Sequence, residues 1–237
     1  MKRKQNEKSE RATIRAVFNQ SEAVHDYLEE YDNRLLLTAQ PIDMNDFVNS
    51  YMQLDVINGT MSLSYIEGFI VFMQMTFVDE ETGEFIVVNP GTIIMNRDFS
   101  DDKIKHRYLL AHEVAHWIIK RDSLIDDLSY YACSKSISKR INIINTTSMM
   151  NYMNNYPGAY SEMLADGIAN SLLMPAETFV PLAKKFMKEL GFTDSKVFFG
   201  ERLKETDELV CKLASQYLVP EFAVKNHLFA LGLYDVR

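Results

Sequence analysis

Between residues 13 and 38 the apolar positions Ile14, Val17, Phe18, Val24, Leu28, Leu35 and Leu36 recur at roughly helical spacing, which predicts a helical segment. Pro41 and Asp43 punctuate the chain, and residues 44–54 fit a shorter helix. The texture changes after Gly59. Residues 68–77 (GFIVFMQMTF) are dense in β-branched and aromatic side chains and predict a strand. DEETGE (79–84) reads as a turn, EFIVV as a second strand, NPG (89–91) as another turn and TIIM (92–95) as a third strand. Short strands joined by short turns predict a three-stranded antiparallel meander.

From residue 102 onward the pattern is helical, with predicted helices over 102–121, 161–173, 176–190, 201–216 and 220–231. Gly191 marks a helix end, and Pro175 and Pro220 mark helix starts. Residues 133–158 break the pattern. They are crowded with Ser, Asn and Thr and read as a long surface loop of the kind used as a lid or binding loop. The expected organisation is a mobile charged tail over 1–12, a main domain over 13–190 that carries the 133–158 loop, and a C-terminal helical element over 191–237. The fold class that results is α+β, mainly helical, with one small antiparallel sheet.

Charge narrows the function classes. The 237 residues carry a formal net charge of −8. Non-specific nucleic-acid binding relies on Lys and Arg neutralising phosphates, so direct nucleic-acid binding is not expected. Cys133 and Cys211 stand alone and far apart, which argues against a disulfide framework. The charged N-terminal stretch has no apolar run behind it, and no segment approaches the length of a membrane span. The expectation is a soluble cytoplasmic protein with no membrane partner. The pattern assigns no oligomeric state.

The chemistry concentrates in LLAHEVAHWIIK (109–120). On a helix, His112 and His116 share one face one turn apart, so two imidazoles can reach one metal ion. Glu113 is rotated about 100° away and can lean over the ion's open side without binding it, which is the mechanical content of H-E-x-x-H. Such a site needs a third protein ligand. The pattern HExxHxxGxxH would require glycine at 119 and histidine at 122, but the chain has Ile119 and Asp122. The other source is an acid on a later helix. Ser161 is a suitable N-cap after Pro157-Gly158, Glu162 opens that helix, and Asp166 follows four residues on along the same face. Glu162 can bind a metal directly, and Asp166 can accept the second ring N–H of a ligating histidine.

RYLLAHEVAHWII (107–119) followed by EMLADGIANSLLMP (162–175) resembles the ImmA/IrrE family of metallopeptidases. PIDMNDFVNSYMQLDV (41–56) and the segment 208–235 are similar to that family's flanking elements. Leu164, where an acid is common, and the long loop between the two motifs depart from it. The resemblance implies a zincin-like, gluzincin-type fold, with zinc on His112, His116 and Glu162 and Glu113 as catalytic base. It also implies a protein substrate, a helix-turn-helix repressor of a mobile element, prophage or stress regulon.

Lesser candidates are Tyr156 and Tyr160 as oxyanion donors, and the TIIMN strand as a backbone edge for an extended substrate. A rival expectation treats residues 201–231 as a helix-turn-helix reader and the metal site as structural or sensory. Lys204, Lys212 and Lys225 there are outnumbered by Glu201, Glu205, Asp207, Glu208 and Glu221. A toxin or antitoxin component acting on a partner protein would use the same chemistry. His25, His106 and His227 are expected to be structural or exposed, and Met149, Met150 and Met153 to line the loop rather than bind copper.

Overall fold

The computed structural model describes residues 2–61, 66–99, 101–121, 133–135, 158–194, 196–198 and 200–235. Among them the helices are α1 (Lys2–Phe18), α2 (Ser21–Asp32), α3 (Met44–Asp46), α4 (Lys103–Arg121), α5 (Ala159–Leu173), α6 (Ala176–Glu189), α7 (Leu203–Tyr217) and α8 (Glu221–Ala230). The strands are β1 (Asp55–Gly59), β2 (Ile66–Ile70), β3 (Met75–Val78), β4 (Phe85–Val88), β5 (Thr92–Asn96), β6 (Cys133–Lys135), β7 (Val197–Phe198) and β8 (Tyr234–Asp235). The protein is α+β and mainly helical, and no described helix is long and apolar enough to cross a membrane. Apart from β6 and Gly158, the predicted loop 133–158 lies outside the described residues.

The chain divides into two compact units, Asp43–Arg140 and Met1–Ile42 with Ile141–Arg237. In the first, the Asp43 carboxylate accepts the backbone N–H groups of Asn45 and Asp46, starting α3, which runs on as a π-helical turn over Phe47–Tyr51. The sheet corrects the expected three-stranded antiparallel meander. It is a mixed four-stranded sheet in the order β1-β5-β2-β6, with β1 parallel to β5 and the other pairs antiparallel. The run 68–77 bends at Phe72 and Met73 and divides between β2 and β3. β3 and β4 form the expected hairpin, but β5 leaves it for the larger sheet.

Burial explains the choice. All five residues of β5 are buried, so the strand belongs where both edges and both faces are covered. β5 therefore offers no free edge to a substrate, contrary to the sequence expectation. Met61, Val71, Phe77, Val88 and Ile94 form one hydrophobic cluster in the core of this unit. Gly59 closes β1 against it, and a Cβ there would stand 2.5 Å from the Phe77 ring.

The second unit is built around α5, which packs on α1, α2 and α8. Its residues Met163–Leu173 are buried without a break, which needs a neighbour on every face. α1 starts at Lys2, so the residues expected to form a mobile tail are helical. Their Lys, Arg, Gln and Glu are good helix formers. The predicted helix over 13–38 is interrupted at Asn19-Gln20 and ends in a 3-10 turn, Asn33–Leu36. The C-terminal segment is tied to α1. Arg15 donates to the carbonyls of Phe229 and Tyr234 and pairs with Asp235 at 3.0 Å.

The contact between α5 and α1 depends on Gly167. A Cβ there would lie 2.7 Å from the Val17 carbonyl oxygen and 2.9 Å from the Phe18 Cα, and both are backbone atoms. Gly167→Ala is expected to force the helices apart and cost about 2 kcal/mol or more, against the gain in helix propensity. Urea unfolding of the two proteins checks this, and equal midpoints would show that the contact yields freely.

Candidate metal centre

α4 starts where the Asp102 carboxylate accepts the N–H groups of Ile104 and Lys105. Its residues from Tyr108 to Ile119 are buried except for the half-buried Trp117, as the apolar spacing implies. His112, Glu113 and His116 have no solvent exposure. The two imidazoles point the same nitrogen at one place. Their Nε2 atoms are 3.1 Å apart, and the rings meet edge to face at 4.8 Å.

α5 starts differently from the sequence expectation. Gly158 adopts the left-handed conformation, with φ 79°, and turns the chain straight into the helix, which begins at Ala159. Ser161 is therefore inside the first turn rather than its cap. Glu162 keeps its first-turn place, with its N–H donating to the Gly158 carbonyl at 3.0 Å. Asp166 follows one turn on and is buried.

His112, His116 and Glu162 form a group that could hold a metal ion. Each offers one ligand atom, and these atoms lie within 4.8 Å of one another. The donor chemistry fits, since two neutral imidazoles and one carboxylate are a common divalent-metal set. A second group, His25, Asp26 and Glu29, is half-buried to exposed, and His25 is engaged with Glu177 at 3.1 Å.

Sequence reasoning missed the supports of α4. Gly68 of β2 lies beside Glu113, and a Cβ there would sit 3.8 Å from the Glu113 Cγ, 3.1 Å from the Met95 Sδ and 3.2 Å from the Ile94 carbonyl. A glycine in a β-branched run is the usual mark of such a close approach. The neighbouring Glu67 stands at a register shift between β2 and β6, is fully buried, and pairs with Lys105 of α4 at 2.8 Å. Burial pulls the Arg107 guanidinium down to about 10, with the charge of Asp43 opposing the shift.

The remaining candidates are placed as follows. Tyr160 is exposed, while Tyr156 and the three loop methionines lie outside the described residues. Cys211 is exposed, and its thiol donates to Glu221, which raises its pKa and disfavours a reactive thiolate. His227 is fully buried.

Set against family models, curated proteins and solved structures, the chain matches none.

Proposed function

We propose that the protein is a zinc-dependent endopeptidase, similar to the ImmA/IrrE metallopeptidases, that hydrolyses a peptide bond in a protein substrate. A helix-turn-helix repressor is the substrate class this reading favours. The observation that carries it is the convergence of His112, His116 and Glu162, with Glu113 next to the first ligand on the same helix. The 3.1 Å between the two Nε2 atoms is close to the edge of a tetrahedral zinc site, about 3.3 Å for bonds of about 2.0 Å. Zinc held there would supply a Lewis acid and a water acidic enough to ionise near neutral pH.

The chain's own residues supply the rest. Glu113 takes the proton from the attacking water and returns it to the leaving amine. Its burial on α4 keeps bulk solvent from competing for that proton. Asp166, on α5, is suited to accept a ring N–H from a ligating histidine and fix its tautomer.

The rival reading, a DNA-binding module, needs an exposed second helix in the C-terminal pair. In α8, Ala223, Val224 and the residues from Asn226 to Ala230 are buried, which leaves little surface for a groove.

The test is metal content together with cleavage. Purified protein is expected to hold about one zinc per chain, and His116→Ala to hold none. Co-expression with the regulator encoded beside it is expected to yield fragments of that regulator only when the ligands are intact. Zinc-free wild type, or an intact regulator, argues against the reading. Chelation adds a stability readout. At free zinc about 1,000 times its Kd, bound metal contributes about 4 kcal/mol, so stripping it is expected to lower Tm by several degrees. An unchanged Tm in differential scanning calorimetry, with zinc shown to be gone, would uncouple the metal from the fold.

A further inference from the structure

The β3–β4 hairpin carries an apolar face that the metal chemistry does not use. Met75, Phe77, Ile86 and Val88 turn one face into the core of their unit. The cross-strand partners Val78 and Phe85, with Val87 beside them, form the opposite face, and they are 37%, 75% and 64% exposed. Neither strand pairs on its outer edge among the described residues, so backbone donors and acceptors are open there.

The charge around this face selects its occupant. No Lys or Arg stands between Arg34 and Arg97, while the hairpin turn holds Asp79, Glu80, Glu81 and Glu84. Arg97 pairs with Asp79 and Glu81. Glu80 and Glu84 stay exposed at the rim, and no ion pair reaches them among the described residues. A second copy would bring the same acidic rim and a net charge of −8 against this one, and an anionic membrane surface would be repelled likewise. A cationic strand is complementary on both counts. Its apolar side chains cover Phe85 and Val87, its Lys or Arg meet Glu80 and Glu84, and its backbone adds to an open edge.

We infer that the outer face of the β3–β4 hairpin docks an extended segment of a partner protein that alternates basic and apolar residues. The inference stands whether or not the metal site is catalytic. The probe is a short synthetic peptide alternating lysine with valine, titrated by fluorescence anisotropy onto the full chain, beside a matched glutamate–valine peptide. The lysine peptide is expected to bind, to weaken as salt rises, and to lose about tenfold or more in affinity against Phe85→Ser/Val87→Thr. Glu80→Lys/Glu84→Lys is expected to weaken it to a similar degree. Glu189→Lys/Glu208→Lys makes the same change in net charge elsewhere and is expected to leave binding within about twofold. Equal binding to all four proteins would mean a diffuse charge effect and overturn the inference, as would no binding at all. Self-association of the wild type that Phe85→Ser/Val87→Thr abolishes would give the face to a second copy instead. Binding to phosphatidylglycerol vesicles through these residues would give it to a membrane. All three variants change exposed side chains, so circular dichroism is expected to show them folded.

Discussion

Glu113→Gln is expected to retain about one zinc per chain and to lose peptide hydrolysis by about 10³-fold or more. The amide has the volume and hydrogen-bonding reach of the carboxylate but cannot accept a proton at neutral pH. Glu113 is outside the group of His112, His116 and Glu162, so its loss leaves the ligand set whole. The site also constrains the replacement. Glu113 is fully buried and Gly68 comes close to its stem, so glutamine has room for the same rotamer and little for another. Glu113→Asp provides the contrast, because it keeps the charge and withdraws it by one methylene. A partial loss is expected there, since the carboxylate no longer reaches the attacking water as closely. The measurement pairs single-turnover cleavage of the proposed repressor substrate with metal analysis of the same preparations. Wild-type cleavage by the glutamine variant would remove Glu113 from the chemistry, and loss of its zinc would make Glu113 a ligand instead.

The helices could be read from the sequence because their signals are local. The stripe that carries His112 and His116, the prolines before α6 and α8 and the glycine after α6 each act within a turn or two. The candidate metal group was legible for the same reason: a spacing of four residues fixes the face of His112 and His116, and the first-turn Glu162 is visible in its own segment. The sheet was not legible. Strand order is set by pairings across long stretches of chain, and an apolar run such as 68–77 fits a buried strand, an edge strand or two strands with a bend. Only packing distinguishes them. β1, whose Asp55-Val56-Ile57-Asn58 does not alternate polar with apolar, carries too weak a strand signal to announce a parallel partner nearly forty residues on. The Glu67–Lys105 pair was hidden likewise, since neither residue is unusual until β2 lies against α4. The resemblance to ImmA/IrrE proteins rests on the same short motifs that carry these candidate ligands, and metal analysis tests those residues directly.

Acid is expected to unfold the protein early, and His227 is the reason to look for it. Its ring is fully buried in α8, edge-on to Phe179 at 4.8 Å, and Phe179 in turn packs on Tyr217. Tyr217 is pushed up to about 12, mainly by burial, and donates to Thr178, so it stays neutral throughout the acid range. Burial pulls His227 down to about 4, and the Met174 carbonyl only partly offsets this. Neither ring nitrogen makes a hydrogen bond of normal geometry. The sign follows from proton uptake. Above the ordinary value of 6.5 the histidine is neutral folded and unfolded, and it carries no penalty. Below 6.5 the unfolded chain binds a proton that the folded chain refuses. Stability then falls by about 1.4 kcal/mol per pH unit until the folded ring titrates near 4, about 3 kcal/mol in all. His227→Leu removes this one titration and leaves the carboxylates of the chain unchanged. Between pH 7.5 and pH 5 the wild type is expected to lose about 2 kcal/mol more than the leucine variant, measured by urea unfolding at each pH. The comparison is between slopes, so any packing cost of leucine cancels. Parallel pH profiles would mean that His227 is charged in the folded protein, and its buried ring would then need an anionic partner within the unit.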